Sequence, residues 1–280
     1  MVDQRGVELF FRFQKLISIC LILCLVLPLA GCARYAKRPP ELEVTDDRDD
    51  VPAVALPEEE QTPRKKVALT FDDGPRSHGD QTKNLMKELE KYGFHATFFV
   101  LGHRVAESGG GDVIRYAVEN GHEIGIHGYS HEVYYDSCSD EAYREELSST
   151  LQEILRYVPS YQVKLMRPIG GSITPERINS CPYAVIHWSV DSDDWNTENR
   201  YFTNISDEEA QRRVDTIVEN VMSRVKEGDI ILMHDIYEST YDAAKIIIQR
   251  LYEEGYEVVT VSELLGDDLQ NGRIYHSVND

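Results

Sequence analysis

Positive charge is scarce in this chain. Its 280 residues hold 29 Lys and Arg against 49 Asp and Glu, a formal net charge of −20. That balance argues against nucleic acid as a partner and disfavours tight electrostatic adhesion to anionic lipid. Cysteine is scarce as well. Of five cysteines, Cys20, Cys24 and Cys32 fall in the first 32 residues, which leaves Cys138 and Cys181 for a folded domain. One disulfide could join them in an exported protein, but sequence alone does not place them within bonding distance. The apolar run over residues 16–27 is shorter than a membrane-spanning helix requires. No internal repeat is present.

That run has instead the layout of an export signal. Arg5, Arg12 and Lys15 precede it, and Pro28, Ala30 and Gly31 follow it. Leu29-Ala30-Gly31-Cys32 resembles a bacterial lipobox, in which the cysteine becomes the lipidated first residue of the mature protein. A plain signal peptide and an uncleaved anchor are the alternatives, and all three put the rest of the chain outside the cytoplasm. Residues 33–66 hold Pro39, Pro40, Pro52, Pro57 and Pro63 among many Asp and Glu. They read as a disordered acidic tether. Residues 67–265 suit one domain of α/β barrel size. The tail over 266–280 carries no usable signal.

Within the domain, short apolar strands alternate with polar helical segments, which predicts a mostly parallel sheet or barrel. The first strand, Val67-Ala68-Leu69, runs into Thr70-Phe71-Asp72-Asp73-Gly74. Two adjacent carboxylates at a strand end repel one another unless a metal or an acid/base role divides their duties. A solvated Asp-Gly turn is the plainer reading of these residues alone. Helices are expected over 81–91, 112–120, 139–158, 208–225 and 241–254. Ser139 is a candidate N-cap, with Leu147, Leu151, Ile154, Leu155 and Val158 on the inner face of its helix. Strands are expected over 95–101, 123–126, 163–166, 183–190, 229–233 and 256–260, and 109–111 reads as a flexible loop.

The residues at the strand ends matter together. The strand at 123–126 runs into His127-Gly128-Tyr129-Ser130-His131, two histidines at a spacing able to bind one metal. The strand at 163–166 ends in Arg167-Pro168-Ile169-Gly170-Gly171, that at 183–190 in Asp191-Ser192-Asp193-Asp194-Trp195, and that at 229–233 in His234-Asp235. In parallel α/β barrels the C-terminal strand ends open on one face, which carries the active site. One geometric assumption therefore collects metal ligands, spare carboxylates, an arginine, a tryptophan and a further histidine.

These ordered motifs resemble the polysaccharide deacetylase family, the NodB-homology domains of carbohydrate esterase family 4, over nearly all of 67–265. Thr70 to Gly74 matches the first motif, and Ala96-Thr97-Phe98-Phe99-Val100 is a typical strand. His127 and His131 match the second motif, although Gly128 stands where Thr or Ser is usual. The third is loosest, with Ile169 at a position where the family carries proline. Asp191 with Asp194-Trp195 matches the fourth motif, and Leu232-Met233-His234 the fifth. The resemblance implies a distorted (β/α) barrel with fewer than eight parallel strands. It implies one divalent metal, zinc with cobalt or manganese as alternatives, bound by Asp73, His127 and His131. Asp72 would be the general base and His234 the general acid. Arg167 would pair with Asp72, and Asp191 would tune His234. Trp195 would form a groove wall, Leu232 would line the acetyl pocket, and the Gly170 N–H would face the oxyanion.

The reaction so implied is hydrolytic removal of N-acetyl groups from a polysaccharide, with peptidoglycan first among substrates. An O-acetyl esterase on a glycan such as xylan is one alternative, and a sugar-binding protein on a disabled scaffold is another. A zinc peptidase is disfavoured, because His127-Gly128-Tyr129-Ser130-His131 lacks the glutamate such a motif carries. His78, His95, His103, His122, His187 and His276 read as structural or surface residues. Asn204-Ile205-Ser206 fits a glycosylation pattern that a lipobox-bearing chain would not use.

Overall fold

The computed structural model describes residues 64–76, 80–196 and 205–279. The expected export signal over 1–32 with Cys32, the tether up to residue 63, His78 and Asn204 lie outside the described residues.

The chain order is β1 (Lys65–Asp72), α1 (Gln81–Glu90), β2 (Thr97–Leu101), α2 (Gly102–Ala106), α3 (Gly110–Glu119), β3 (Glu123–Gly128) and α4 (Asp140–Tyr157). It continues with β4 (Leu165–Met166), α5 (Pro175–Ser180), β5 (Ala184–Ile186), β6 (Val190–Asp191), α6 (Asp207–Met222) and β7 (Ile230–His234). It ends with α7 (Glu238–Glu253), β8 (Tyr256–Val258), α8 (Val261–Leu265) and β9 (Ile274–Tyr275). Residues 67–72 of β1 and every residue of β2 and β3 are buried. Strands covered on both faces need such unbroken runs, where a half-exposed strand would alternate.

Among the described residues the named strands all pair in parallel, in the order β6-β7-β1-β2-β3-β4-β5-β9, with β8 against the start of β1. β5 lies near one end of that order and β6 forms the other, yet only residues 187–189 separate them in sequence. Four residue steps span at most ~14 Å. The two ends of the sheet must therefore approach one another, and the sheet curls into a distorted (β/α) barrel. Three of its strands, β4, β6 and β9, are two residues long, so fewer than eight have ordinary length.

Local chemistry places the helices. Ser139, Thr174, Ser206 and Thr260 each accept a backbone N–H three residues on, at the starts of α4, α5, α6 and α8. Such caps contribute ~1 kcal/mol each. Gly255 ends the turn after α7 at φ 79°, a conformation that costs glycine nothing.

Four expectations need correction. The segment 183–190 is not one strand, because it crosses between the sheet ends and breaks at residues 187–189. Residues 110 and 111 open α3 instead of forming a flexible loop. The inner face of α4 is turned toward Tyr143, Glu146, Leu147, Thr150 and Ile154, with Leu155 only partly covered. The tail is not featureless. β9 pairs with β5, Tyr275 is buried, and its hydroxyl accepts from Gln270 N at 2.9 Å and donates to the Asp268 carbonyl. A two-residue strand is too short to show a period.

Candidate active site

Register brings the first pair together. β1 and β7 are neighbours, with Asp72 directly opposite His234 at their C-terminal ends. His127 is the fifth residue of β3, and Arg167 follows β4 immediately. The turn after β1 carries Asp73 at φ 70°, and the loop after β3 carries His131 at φ 63°. Non-glycine residues hold such angles at a cost of about 1–3 kcal/mol, and only where surroundings impose them.

That backbone points three side chains at one spot. Asp73 Oδ1 lies 3.4 Å from His127 Nε2 and 3.3 Å from His131 Nε2. The three candidate ligand atoms lie within 4.8 Å of one another. Asp73 Oδ1 is buried and accepts no hydrogen bond. Its distances to the imidazoles exceed those of good N–H···O bonds. An orphaned buried carboxylate oxygen met by two imidazole nitrogens fits a divalent cation with positions left open. His127 Nδ1 lies 2.9 Å from the Arg167 carbonyl oxygen. A proton on Nδ1 then leaves the Nε2 lone pair facing Asp73.

The protonation preferences follow from burial and neighbours. Burial works to raise the Asp73 carboxyl, but His127, His234 and His131 pull it well below the usual carboxylate range. Burial opposes charge on His127, yet Asp72 and Asp73 raise its pKa. At His131 burial wins and the pKa is lowered.

Arg167 is fully buried at the barrel centre. Its guanidinium donates to Asp72 Oδ1 at 2.8 Å and to Thr70 Oγ1 at 2.7 Å on β1. It also donates to the Ile186 carbonyl at 3.1 Å and the His187 carbonyl at 2.8 Å, where β5 gives way to the crossing segment. One planar fork thus ties the carboxylate to both sides of the barrel. Its face lies 4.3 Å from the Phe99 ring centroid.

The carboxylate on His234 is Asp194, not Asp191 as expected. Asp194 Oδ1 accepts from His234 Nδ1 at 2.8 Å, and Oδ2 accepts from His234 N at 2.7 Å and Thr240 Oγ1 at 2.6 Å. Burial would lower the His234 pKa, but the charge and hydrogen bond of Asp194, with Asp73 and Asp72 beyond, push it up to about 9. Asp191 turns inward on its own loop. Its Oδ1 accepts from Asp193 N at 2.9 Å and Trp195 Nε1 at 3.2 Å, an Asx-type turn that orients the indole. Asp194 lies past that turn and so reaches His234 at the end of the neighbouring strand β7.

The remaining expected residues border the same face. Trp195 is 45% exposed. Leu232 lies two residues before His234 on β7 and so shares its face. Gly170 is exposed at φ 59° in the loop after Arg167. The two departures from the family pattern touch. A Cβ on Gly128 would lie 3.0 Å from Ile169 Cδ1, so the absent side chain and the added isoleucine occupy adjoining space.

Two residues had no role assigned from the sequence, although Asp235 was already placed at a strand end. Asp235 is buried behind the site and accepts from Thr82 Oγ1. Burial pushes its carboxyl up to about 7, with the nearby charge of Asp73 adding to the rise. Gly74 is glycine for its sake, because a Cβ there would lie 2.6 Å from Asp235 Oδ1. Glu146 is a charged residue on the buried face of α4, a mismatch visible in the helical pattern. His103 falls on the structural side of its expectation: it is half-buried, and its Nδ1 lies 2.6 Å from the Tyr129 carbonyl oxygen in the histidine loop. Cys138 and Cys181 are free thiols.

Comparison with known proteins identifies the family of the domain. A model of the family described as Polysaccharide deacetylase matches residues 59–184. The chain is 37% identical over 213 residues to the Bacillus subtilis peptidoglycan-N-acetylmuramic acid deacetylase PdaC, covering 75% of this chain and 41% of that protein. It is 31% identical over 216 residues to the Listeria monocytogenes peptidoglycan-N-acetylglucosamine deacetylase PgdA, covering 77% and 42%. The chain thus spans about two fifths of the length of these curated relatives. The solved structure of PdaC superposes with a TM-score of 0.62 at 35% identity, over 72% of this chain and 90% of that one. A family 4 acetyl xylan esterase from Clostridium thermocellum, solved in complex with a cobalt ion, gives 0.64 at 31% identity over 76% and 99%. On sequence, fold and matched domain length together, the chain belongs to the polysaccharide deacetylase family.

Proposed function

We propose that the protein is a metal-dependent deacetylase that removes N-acetyl groups from the amino sugars of peptidoglycan. The observation that carries this reading is the division of labour at one barrel face. A three-ligand set stands beside a second carboxylate held on an arginine, and beside a histidine held on an aspartate.

A divalent cation held by Asp73, His127 and His131 would supply Lewis-acid polarisation of the acetyl oxygen and an acidified water. Two imidazoles and one carboxylate suit zinc, with cobalt or manganese as alternatives. Asp72, oriented by Arg167, accepts the proton of the attacking water as its oxygen adds to the acetyl carbon. His234, charged at neutral pH through Asp194, gives a proton to the sugar nitrogen as the C–N bond breaks. The products are acetate and a free amine. Trp195 forms a groove wall for a sugar ring, Leu232 meets the acetyl methyl, and the Gly170 N–H faces the developing oxyanion.

Peptidoglycan is favoured by the substrates named for PdaC and PgdA. An O-acetyl glycan is the second reading, favoured by the likeness to the acetyl xylan esterase. The test is acetate release by the full chain from purified peptidoglycan, N-acetylglucosamine oligomers and acetylated xylan side by side. Release from peptidoglycan, lost in His234→Ala, is the expected result. Release from xylan alone would move the assignment to the ester. No release from any substrate, with metal bound, would favour a sugar-binding scaffold.

Placement follows from Leu29-Ala30-Gly31-Cys32. In this reading Cys32 carries a lipid and the acidic stretch after it lets the domain reach the wall from a membrane surface. Cys32→Ala should then move the protein from the membrane fraction to the soluble one. An unchanged distribution contradicts the lipid anchor.

A further inference from the structure

The loop between β3 and α4, which carries His131 just after His127 at the strand end, has little regular structure of its own. What holds it comes from two helices. Glu146 of α4 is buried, and its Oε2 accepts from Tyr129 N and from Ser130 N at 3.1 Å. Its Oε1 accepts from Ser130 Oγ at 2.9 Å. On the opposite side of the same peptide chain, the Tyr129 carbonyl accepts from His103 N at 3.1 Å and lies 2.6 Å from His103 Nδ1, both on α2. The segment between the two histidines is thus gripped through its N–H groups by one helix and through its carbonyl by another. His131 follows directly, with its backbone in the left-handed region.

Gly128 makes the grip possible. Its φ is 140°, and a Cβ there would lie 3.1 Å from Glu146 Oε2, as well as 3.0 Å from both Ile169 Cδ1 and Tyr135 Oη. A side chain at this position would press on the carboxylate just where it meets the loop. Glycine at 128, isoleucine at 169 and the reach of Glu146 therefore form one packing solution.

We propose that Glu146 is a positioning residue for the metal-ligating loop: its carboxylate fixes the Tyr129–Ser130 backbone and thereby aims the His131 imidazole at the point shared by Asp73 and His127. Glu146 touches no ligand atom and no substrate. Its effect runs through the loop, which must keep an off-minimum conformation at His131. A carboxylate with three donors converging on it supplies that constraint. Without it the N–H groups of Tyr129 and Ser130 turn toward water, and His131 loses its aim before His127, which is held on β3 and by the Arg167 carbonyl. The inference rests on the proposed metal site.

The test is zinc affinity of the full chain by competition with a chromophoric chelator, with the visible spectrum of the cobalt-loaded protein recorded alongside. The variants are Glu146→Leu, Glu146→Asp and Glu146→Gln. Supports of metal ligands typically change affinity 10–100-fold when removed. Glu146→Leu should weaken zinc by ~10–100-fold and alter the cobalt spectrum. Glu146→Gln keeps an acceptor oxygen for the two N–H groups and should stay within ~3-fold of the parent, a partial rescue. Glu146→Asp keeps the charge but draws the oxygens back by one methylene, and should weaken zinc at least ~10-fold even if the leucine variant fails to fold. If the aspartate variant has the parent's affinity and cobalt spectrum, Glu146 only stabilises the fold and the proposal is overturned. A parent chain that binds no metal overturns this inference and the metal reading together. A parent that binds metal, with variants unchanged, overturns this inference alone.

Discussion

Asp72→Asn is expected to lower kcat by ~10²–10⁴-fold while leaving the metal stoichiometry unchanged. The neighbouring aspartates have different surroundings. Asp73 lends an orphaned oxygen to the imidazoles of His127 and His131, whereas Asp72 is bonded to Arg167 at 2.8 Å. An asparagine keeps the shape and offers its carbonyl to Arg167, so the barrel centre stays filled and hydrogen-bonded. It cannot take a proton from water. The measurement is acetate release together with metal content of the purified variant. A fall in both would mean that Asp72 holds metal instead of moving a proton. Activity within tenfold of the parent would remove Asp72 from the base role.

Asp194→Asn carries the second large effect, and it separates two aspartates that lie three positions apart. Asp194 grips His234 at the ring and at the backbone. Its charge holds the ring's pKa near 9 against a burial that works to lower it. A general acid is active while protonated, so the rate should fall as pH rises through that value. Without the charge, burial is unopposed at close range, and the pKa should drop to or below the ordinary histidine value of ~6.5. The alkaline limb of kcat/KM is therefore expected to move to lower pH, with kcat reduced by ~10²-fold or more near neutrality. Asp191→Asn should leave that limb in place, because Asp191 holds Trp195 and the turn before it. Its effect should fall on KM. The pH profiles of the two variants, measured side by side, check the assignment. An alkaline limb that moves with Asp191 and not with Asp194 would reverse it.

Much of this site is legible in the sequence, for a topological reason. In a parallel barrel every strand delivers its last residue to one face. The strand-end positions of Asp72, His127, Arg167 and His234 therefore sufficed to bring them together. Asp73 and His131 needed only the next turn. The rest depended on geometry within loops, where no period speaks. Asp191 ends β6 and Asp194 lies just past it, and only the Asx-type turn at 191–193 decides which of them meets His234. Glu146 sits on α4, well past the histidines in sequence, and is recognisable only as a charge on a buried helical face. The crossing at residues 187–189 reads as continuous strand because Trp188 sits between the run Tyr183-Ala184-Val185-Ile186 and Val190. It breaks because the two halves pair with opposite ends of the sheet. The tail was unreadable for another reason. A strand of two residues, fixed by pairing and one buried tyrosine, leaves no pattern longer than itself.

In the proposed reaction, hydrolysis depends on a cation shared by Asp73, His127 and His131. The most direct measurement is acetate release from peptidoglycan by the full chain, before and after exhaustive chelation, with zinc then restored at one equivalent. Activity should vanish with the metal and return at one equivalent, and should not return in His131→Ala. Undiminished release from the chelated, metal-free protein would contradict it.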